Sequence, residues 1–245
     1  MNYKKYYLSK TEVLVCIIKS LAASGIAAWV LYQSFYGMIT FFIFVPVCIR
    51  KQKEKGYRGR KEKLVIQFKD AMLSVAAALQ VGYSMENAWK ESEKEVRELY
   101  GENALFVKEL QKINLAVGVN QPIEKLLYEF ALQSDCEDIQ NFAEVFLFAK
   151  RSGGNFHKII QTTIEHISDK IEVEKEIQTI ISAKKLEQKI MNIVPVAILF
   201  YLNFTAGDFL APLYKNAFGV CVMSASFAAY LLAIKLSEKI TDIKV

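Results

Sequence analysis

Three runs without a single charged residue constrain this chain more than anything else in it: residues 20–49, 190–207 and 217–234 contain no Asp, Glu, Lys or Arg. Apolar stretches of this length match the ~30 Å hydrocarbon core of a bilayer, which a helix of about 20 residues crosses. A chain that is 53% hydrophobic, with only four prolines, rarely carries such runs at both ends unless it is a membrane protein. The first apolar segment, residues 13–49, would make a helix of roughly 55 Å, too long for one upright span. Either it folds back near residues 33–37 into two spans of about 16–18 residues, or it forms one long tilted helix. With the two C-terminal runs, the hairpin reading predicts four spans in two pairs.

The Lys and Arg flanks predict the orientation. Lys4, Lys5 and Lys10 precede the first span, and a dense basic segment follows the second. Lys184, Lys185 and Lys189 precede the third, while Lys235, Lys239 and Lys244 follow the fourth. Positive charge concentrates on the cytoplasmic side, so both flanks and the central region are expected there, in the cytoplasmic membrane. Lys19 falls about 9 Å into the first span, close enough for its stem to snorkel to the headgroups, although a functional buried lysine is the other reading. The N-terminal stretch has no small-residue cleavage site and is expected to be retained. Cys16, Cys48, Cys136 and Cys221 form no CxxC pair, so free thiols are expected, with neither a disulfide framework nor a zinc site.

The net charge of +5 hides a sharp division. Residues 50–63 carry eight cations, Arg50, Lys51, Lys53, Lys55, Arg58, Arg60, Lys61 and Lys63, against two Glu. Residues 64–189 carry fifteen basic and twenty acidic side chains. A basic juxtamembrane collar suited to membrane lipids therefore precedes a mildly acidic domain.

That domain reads as helical throughout. Val65, Phe68, Met72, Val75, Ala76 and Leu79 recur at the three-and-four spacing of a buried helical face. Ser84 suits the N-cap of a helix over 85–99, Pro122 the first turn of one over 122–132, and Ser134 with Glu137 a capping box. Gly82, Gly118 and Gly154 lie 36 residues apart, each after one helix and before the next. With Gly153 they read as turn glycines of three stacked helical hairpins, or as loop glycines whose equal spacing is chance. No Gly or Pro follows Gly154 until Pro195, so one helix is predicted to run from about 155 into the third span. Ile160, Ile164, Ile167 and Ile171 along it read as domain core or as a homomeric seam. The expected fold is an all-α integral membrane protein in which two N-terminal and two C-terminal transmembrane helices flank a cytoplasmic six-helix antiparallel bundle.

Catalytic signatures are absent. His157 and His166 fall on different helix faces without a further ligand at metal spacing, and there is no GxxxxGK[ST] phosphate loop. No enzymatic activity, cofactor or nucleic-acid partner is expected. The many Glu residues of 86–109 read most simply as a solvated helix face.

Several motifs, taken in order, carry a resemblance over residues 60–219. They are Phe68-Lys69-Asp70-Ala71, Val81-Gly82-Tyr83-Ser84-Met85-Glu86-Asn87-Ala88, Gly118 with Ile123 and Leu127, Arg151-Ser152-Gly153-Gly154-Asn155-Phe156, and Asp208-Phe209-Leu210-Ala211-Pro212-Leu213-Tyr214 with Gly219. The chain resembles the type II secretion system F domain family, and in holding one copy of the domain it is similar to the single-domain platform proteins of tight-adherence (Tad) pili, of TadB and TadC type. The apolar runs and the charge division give the domain order membrane hairpin 1–49, basic segment 50–63, helical domain 64–189, membrane hairpin 190–234 and tail 235–245, and the resemblance implies that the helical domain is of F type. It also implies a machine part that couples a motor ATPase to insertion or extraction of pilin subunits and pairs with itself or a paralogous platform protein. Joined to the charge division, it makes Glu91, Glu95, Glu98 and Glu102 the candidate motor-contact face. Two other classes stay open: a small transporter or channel, for which the spans offer few polar residues, and a membrane signalling protein, for which the outer loops are short.

Overall fold

The computed structural model describes residues 8–28, 41–152, 155–205, 214 and 216–241. They form eight helices: α1 (Lys10–Ala27), α2 (Phe41–Gln80), α3 (Met85–Tyr100), α4 (Leu105–Gly118), α5 (Ile123–Ser134), α6 (Glu137–Ser152), α7 (Phe156–Thr205) and α8 (Ala217–Thr241). Among the described residues there is no strand. The helices belong to two compact units. The first comprises Lys53–Glu172, and the second Leu8–Gln52 with the chain from Val173 onward. Helices α2 and α7 each contribute to both.

The first unit begins before and ends short of the helical domain expected at 64–189, since the chain from Val173 onward belongs to the second unit. Phe68, Met72, Val75 and Ala76 of α2 are buried as predicted, and so are Leu64, Ala71 and Ala78, so α2 is covered over a wider arc than the stripe implied. Aromatic rings run through the core in an unbroken series. Phe68 meets Phe106 and Phe142 with ring centroids 5.4 Å apart, Phe106 meets Phe130 at 5.3 Å, Phe142 meets Phe146 at 5.3 Å, and Phe146 meets Phe156 at 5.1 Å. Edge-on and tilted aromatic pairs add about 0.5–1.5 kcal/mol each beyond the area they bury. The Ile160, Ile164 and Ile167 stripe is core, with Ile171 packed against its edge.

The helix ends differ from the sequence reading in instructive ways. Gly82 ends α2 in the left-handed region at φ 95°, with Tyr83 N–H donating to Ala78 C=O and Gly82 N–H to Leu79 C=O. The same paired closure ends α4, but Asn120 takes the left-handed position at φ 64° while Gly118 is still helical. Asn tolerates this conformation because its short polar side chain bonds locally, so the Gly118 assignment is corrected by two residues. Gly153 and Gly154 lie outside the described residues. Ser134 is not an N-cap: it closes α5 by donating to Ala131 C=O, Asp135 turns the chain at φ 56°, and α6 begins behind Cys136. Pro122 precedes α5 as its N-cap rather than opening its first turn. The closest helix pairs are therefore α3 with α4 and α5 with α6, across the short turns at 101–104 and 135–136, followed by α4 with α5.

Segment 50–63, expected as a linker, is helical and continuous with α2. No proline follows Pro46 within that helix, and Arg58 pairs with Glu54 one turn back at 2.6 Å. Helix α7 likewise runs unbroken for 50 residues, with Pro195 inside it.

In the second unit α7 and α8 run antiparallel. Tyr230 O–H donates to Asn192 C=O, and the Asn203 amide donates to the Tyr214 hydroxyl at 3.1 Å. Cys16 of α1 lies within hydrogen-bonding reach of Cys48 of α2. One helix among the described residues, at Phe218–Ile240, is long and apolar enough to cross a membrane. The charge-free part of α7 is described only from Ile190 to Thr205, and the turn expected at 33–37 lies outside the described residues. Large apolar side chains point outward along this unit, including Ile17, Leu21, Ile193, Phe204, Phe218 and Leu232, whereas Ser20 and Ser24 are buried and donate to carbonyls of their own helix.

Candidate functional site

Helix α3 buries Ala88, Trp89, Ser92 and Val96 along one stripe, which turns Glu95 and Glu98 away from the core. Glu91 is half-buried and pairs with Lys94 at 2.7 Å, a contact that raises the Lys94 pKa through that hydrogen bond. Glu95 and Glu98 are exposed, with no ion pair among the described residues. Glu102 is also exposed, but it lies beyond the α3 C-cap Gly101, in the turn to α4. The predicted row of four thus becomes three helical positions and one turn position. Glu93, in the same cluster by sequence, turns inward to accept from the Asn114 amide at 2.7 Å and to pair with Arg97.

The basic collar is divided in its use. Arg50 and Lys51 belong to the second unit, where Lys51 pairs with Glu238 of α8 at 2.6 Å. The other six belong to the first. Lys53, Lys55 and Lys63 are exposed, and Arg60 is half-buried. Lys61 instead fastens α2 to the α5–α6 turn: its ammonium donates to Asp135 at 2.6 Å and lies 4.9 Å from the Tyr57 ring centroid, while the Tyr57 hydroxyl donates to the same carboxylate. Burial opposes the Lys61 charge, but the bonds to Asp135 and Tyr57 outweigh it and raise its pKa. Next to this latch, burial pushes the Cys136 thiol up to about 11, so it is protonated at neutral pH. Tyr57 and Lys61 lie 78 and 74 residues from Asp135, and no local pattern announces the cluster.

Three buried polar side chains missing from the sequence reading set helix register. Gln67 accepts from Phe106 N–H at 2.9 Å and satisfies the start of α4, where Ala104 supplies no capping side chain. The Ser92 hydroxyl donates to Ala71 C=O at 3.0 Å, tying α3 to α2. Asn114 bonds both Trp89 C=O and Glu93, tying α4 to α3.

Between α6 and α7 lies an open groove of about 420 Å³ with Phe142, Val145 and Ile159 in its wall and Asn141, Lys158 and His166 among its polar groups. Among the described residues no group of three His, Cys, Asp or Glu is placed to hold a metal ion. No family model, curated protein or solved structure matches this chain.

Proposed function

We propose that this chain is the inner-membrane platform protein of a Tad-type or related type IV-like filament machine, coupling a cytoplasmic motor ATPase to insertion or extraction of pilin subunits. The observation that carries this reading is the arrangement of the motifs. Val81–Ala88 spans the α2–α3 turn and the start of α3, Gly118 and Ile123 flank the α4–α5 turn, and Phe68 and Ala71 of the Phe68–Ala71 motif enter the core. The apolar exterior of the second unit supports a bilayer as its solvent, because lipid rather than protein would cover Phe204 and Phe218, which are 85% and 81% exposed. In this reading the chain crosses the membrane four times, with both flanks and the first unit cytoplasmic. The continuous α7 then carries tilt or rotation imposed by the motor toward the membrane spans. The protein has no hydrolytic activity of its own, and it pairs with itself or a paralogous platform protein.

Purification from the native membrane in mild detergent is expected to bring down a motor ATPase and a pilin. Solute flux through the purified protein, without those partners, would reverse the assignment. Topology is open to a separate check in a variant lacking the native cysteines. Single cysteines at Gly37 and Asn216 should react with a membrane-impermeant maleimide in intact cells, and one at Glu137 should react only after permeabilisation. Reaction at position 137 in intact cells would sink the four-span arrangement.

A further inference from the structure

We propose that the second unit carries a binding rim for anionic phospholipid headgroups, made by Arg50 of α2, Lys185 and Lys189 of α7, and Lys235 and Lys239 of α8. The inference rests on the reading that this unit lies in a bilayer. Its geometry comes from two contacts. The Tyr230 bond to Asn192 sets α8 antiparallel beside α7, and the Lys51 pair with Glu238 brings α2 to the same end of α8. Counting along the axes at 1.5 Å per residue, Lys189 and Lys185 lie about 5 and about 10 Å from Asn192 toward that end, and Lys235 and Lys239 about 8 and about 13 Å from Tyr230. Three helices therefore present cations at one level, immediately beyond their apolar stretches.

Among the described residues of α2, α7 and α8, the acidic side chains at this level, Glu187 and Glu238, are engaged by Lys184 at 2.9 Å and by Lys51, and Glu12 of α1 accepts from Ser9 N–H. Arg50, Lys185, Lys189, Lys235 and Lys239 are exposed, with no ion pair among the described residues. Unpaired ammonium and guanidinium groups at the edge of an apolar belt fit a phosphodiester whose acyl chains run along that belt. A zwitterionic headgroup brings its own cation and gains less.

The test uses the full chain in mild detergent, incubated with equal amounts of phosphatidylglycerol and phosphatidylcholine of identical acyl chains, with bound lipid counted by native mass spectrometry. Phosphatidylglycerol should be enriched by at least about tenfold, since even two cations at the surface, each contributing a few-fold, multiply to that. Combined Lys185→Gln, Lys189→Gln, Lys235→Gln and Lys239→Gln substitutions should abolish the enrichment while leaving total bound lipid and helicity unchanged. The matching set of Lys→Arg substitutions should retain it. Equal binding of the two lipids by the unaltered chain overturns the proposal without touching the membrane reading, and so does unchanged enrichment in the Gln variant. Competition by soluble glycerol phosphate at equal concentration would also overturn it, by assigning the cations to a free phosphate ligand. Release of the chain from native membranes by alkaline carbonate would remove the membrane reading itself.

Discussion

Replacing Phe68 with alanine is expected to destabilise the first unit by about 3–5 kcal/mol, the cost of removing a fully buried aromatic ring and leaving a cavity. Phe68 is completely buried, and its ring meets Phe106 of α4 and Phe142 of α6, so one truncation loosens three helices together. Domains have about 5–15 kcal/mol of stability in total, which makes this a large fraction. Leu115→Ala is the matched control: Leu115 is 75% exposed, and its loss should stay within about 0.5 kcal/mol. Denaturant unfolding of the full chain in detergent, followed by the fluorescence of buried Trp89 in a Trp29→Phe background, measures both. If Phe68→Ala unfolds within about 1 kcal/mol of the unaltered chain, the aromatic series is not the core of the domain.

Reversing Glu95 and Glu98 to lysine is expected to weaken binding of the motor ATPase by at least about tenfold, or ~1.4 kcal/mol, and to impair filament assembly. This expectation rests on the proposed function and on two features of α3. Both carboxylates are exposed with no ion pair among the described residues, and the opposite side of the helix holds Trp89 and Val96 in the core. The substitution therefore changes surface charge without disturbing packing. Glu91 is a poorer target than the sequence suggested, because its charge is already shared with Lys94. The affinity of the unaltered chain should fall as salt rises, since a Debye length of ~10 Å at 0.1 M screens exposed pairs. A folded double variant that binds the motor normally and supports assembly would leave this face as a solvated surface. The apolar tips at Val81 and Val119, both well exposed, would then be the next place to look.

The candidate surfaces were legible in the sequence to different degrees. The Glu-rich face follows from helical spacing alone, since one buried stripe through Ala88, Trp89 and Val96 dictates what points outward. The collar was visible as composition, but composition carries no information about partners. Lys51 and Lys61 are engaged by Glu238 and Asp135, which lie 187 and 74 residues away. A cation that looks free in sequence becomes a fastening in three dimensions, and Lys61 belongs to the domain rather than to a lipid-facing ring.

The sequence by itself determined the all-helical character, the apolar stripes of α2 and α7, and the charge-free runs, because each rests on a period or a composition read within one segment. Gly82 was recognisable for the same reason, as a local requirement for the left-handed conformation. Tertiary structure decided which helices pair and in what register. Gln67 caps α4, Ser92 bonds Ala71, and Asn114 joins Trp89 to Glu93, contacts that span 21 to 39 residues. A buried polar group must find a partner wherever the fold places one, so its role is set by the packing of the whole domain and not by its neighbours in the chain. That is also why Asn120 rather than Gly118 ends α4: both can serve locally, and the position at which the helix must stop to meet α5 selects between them.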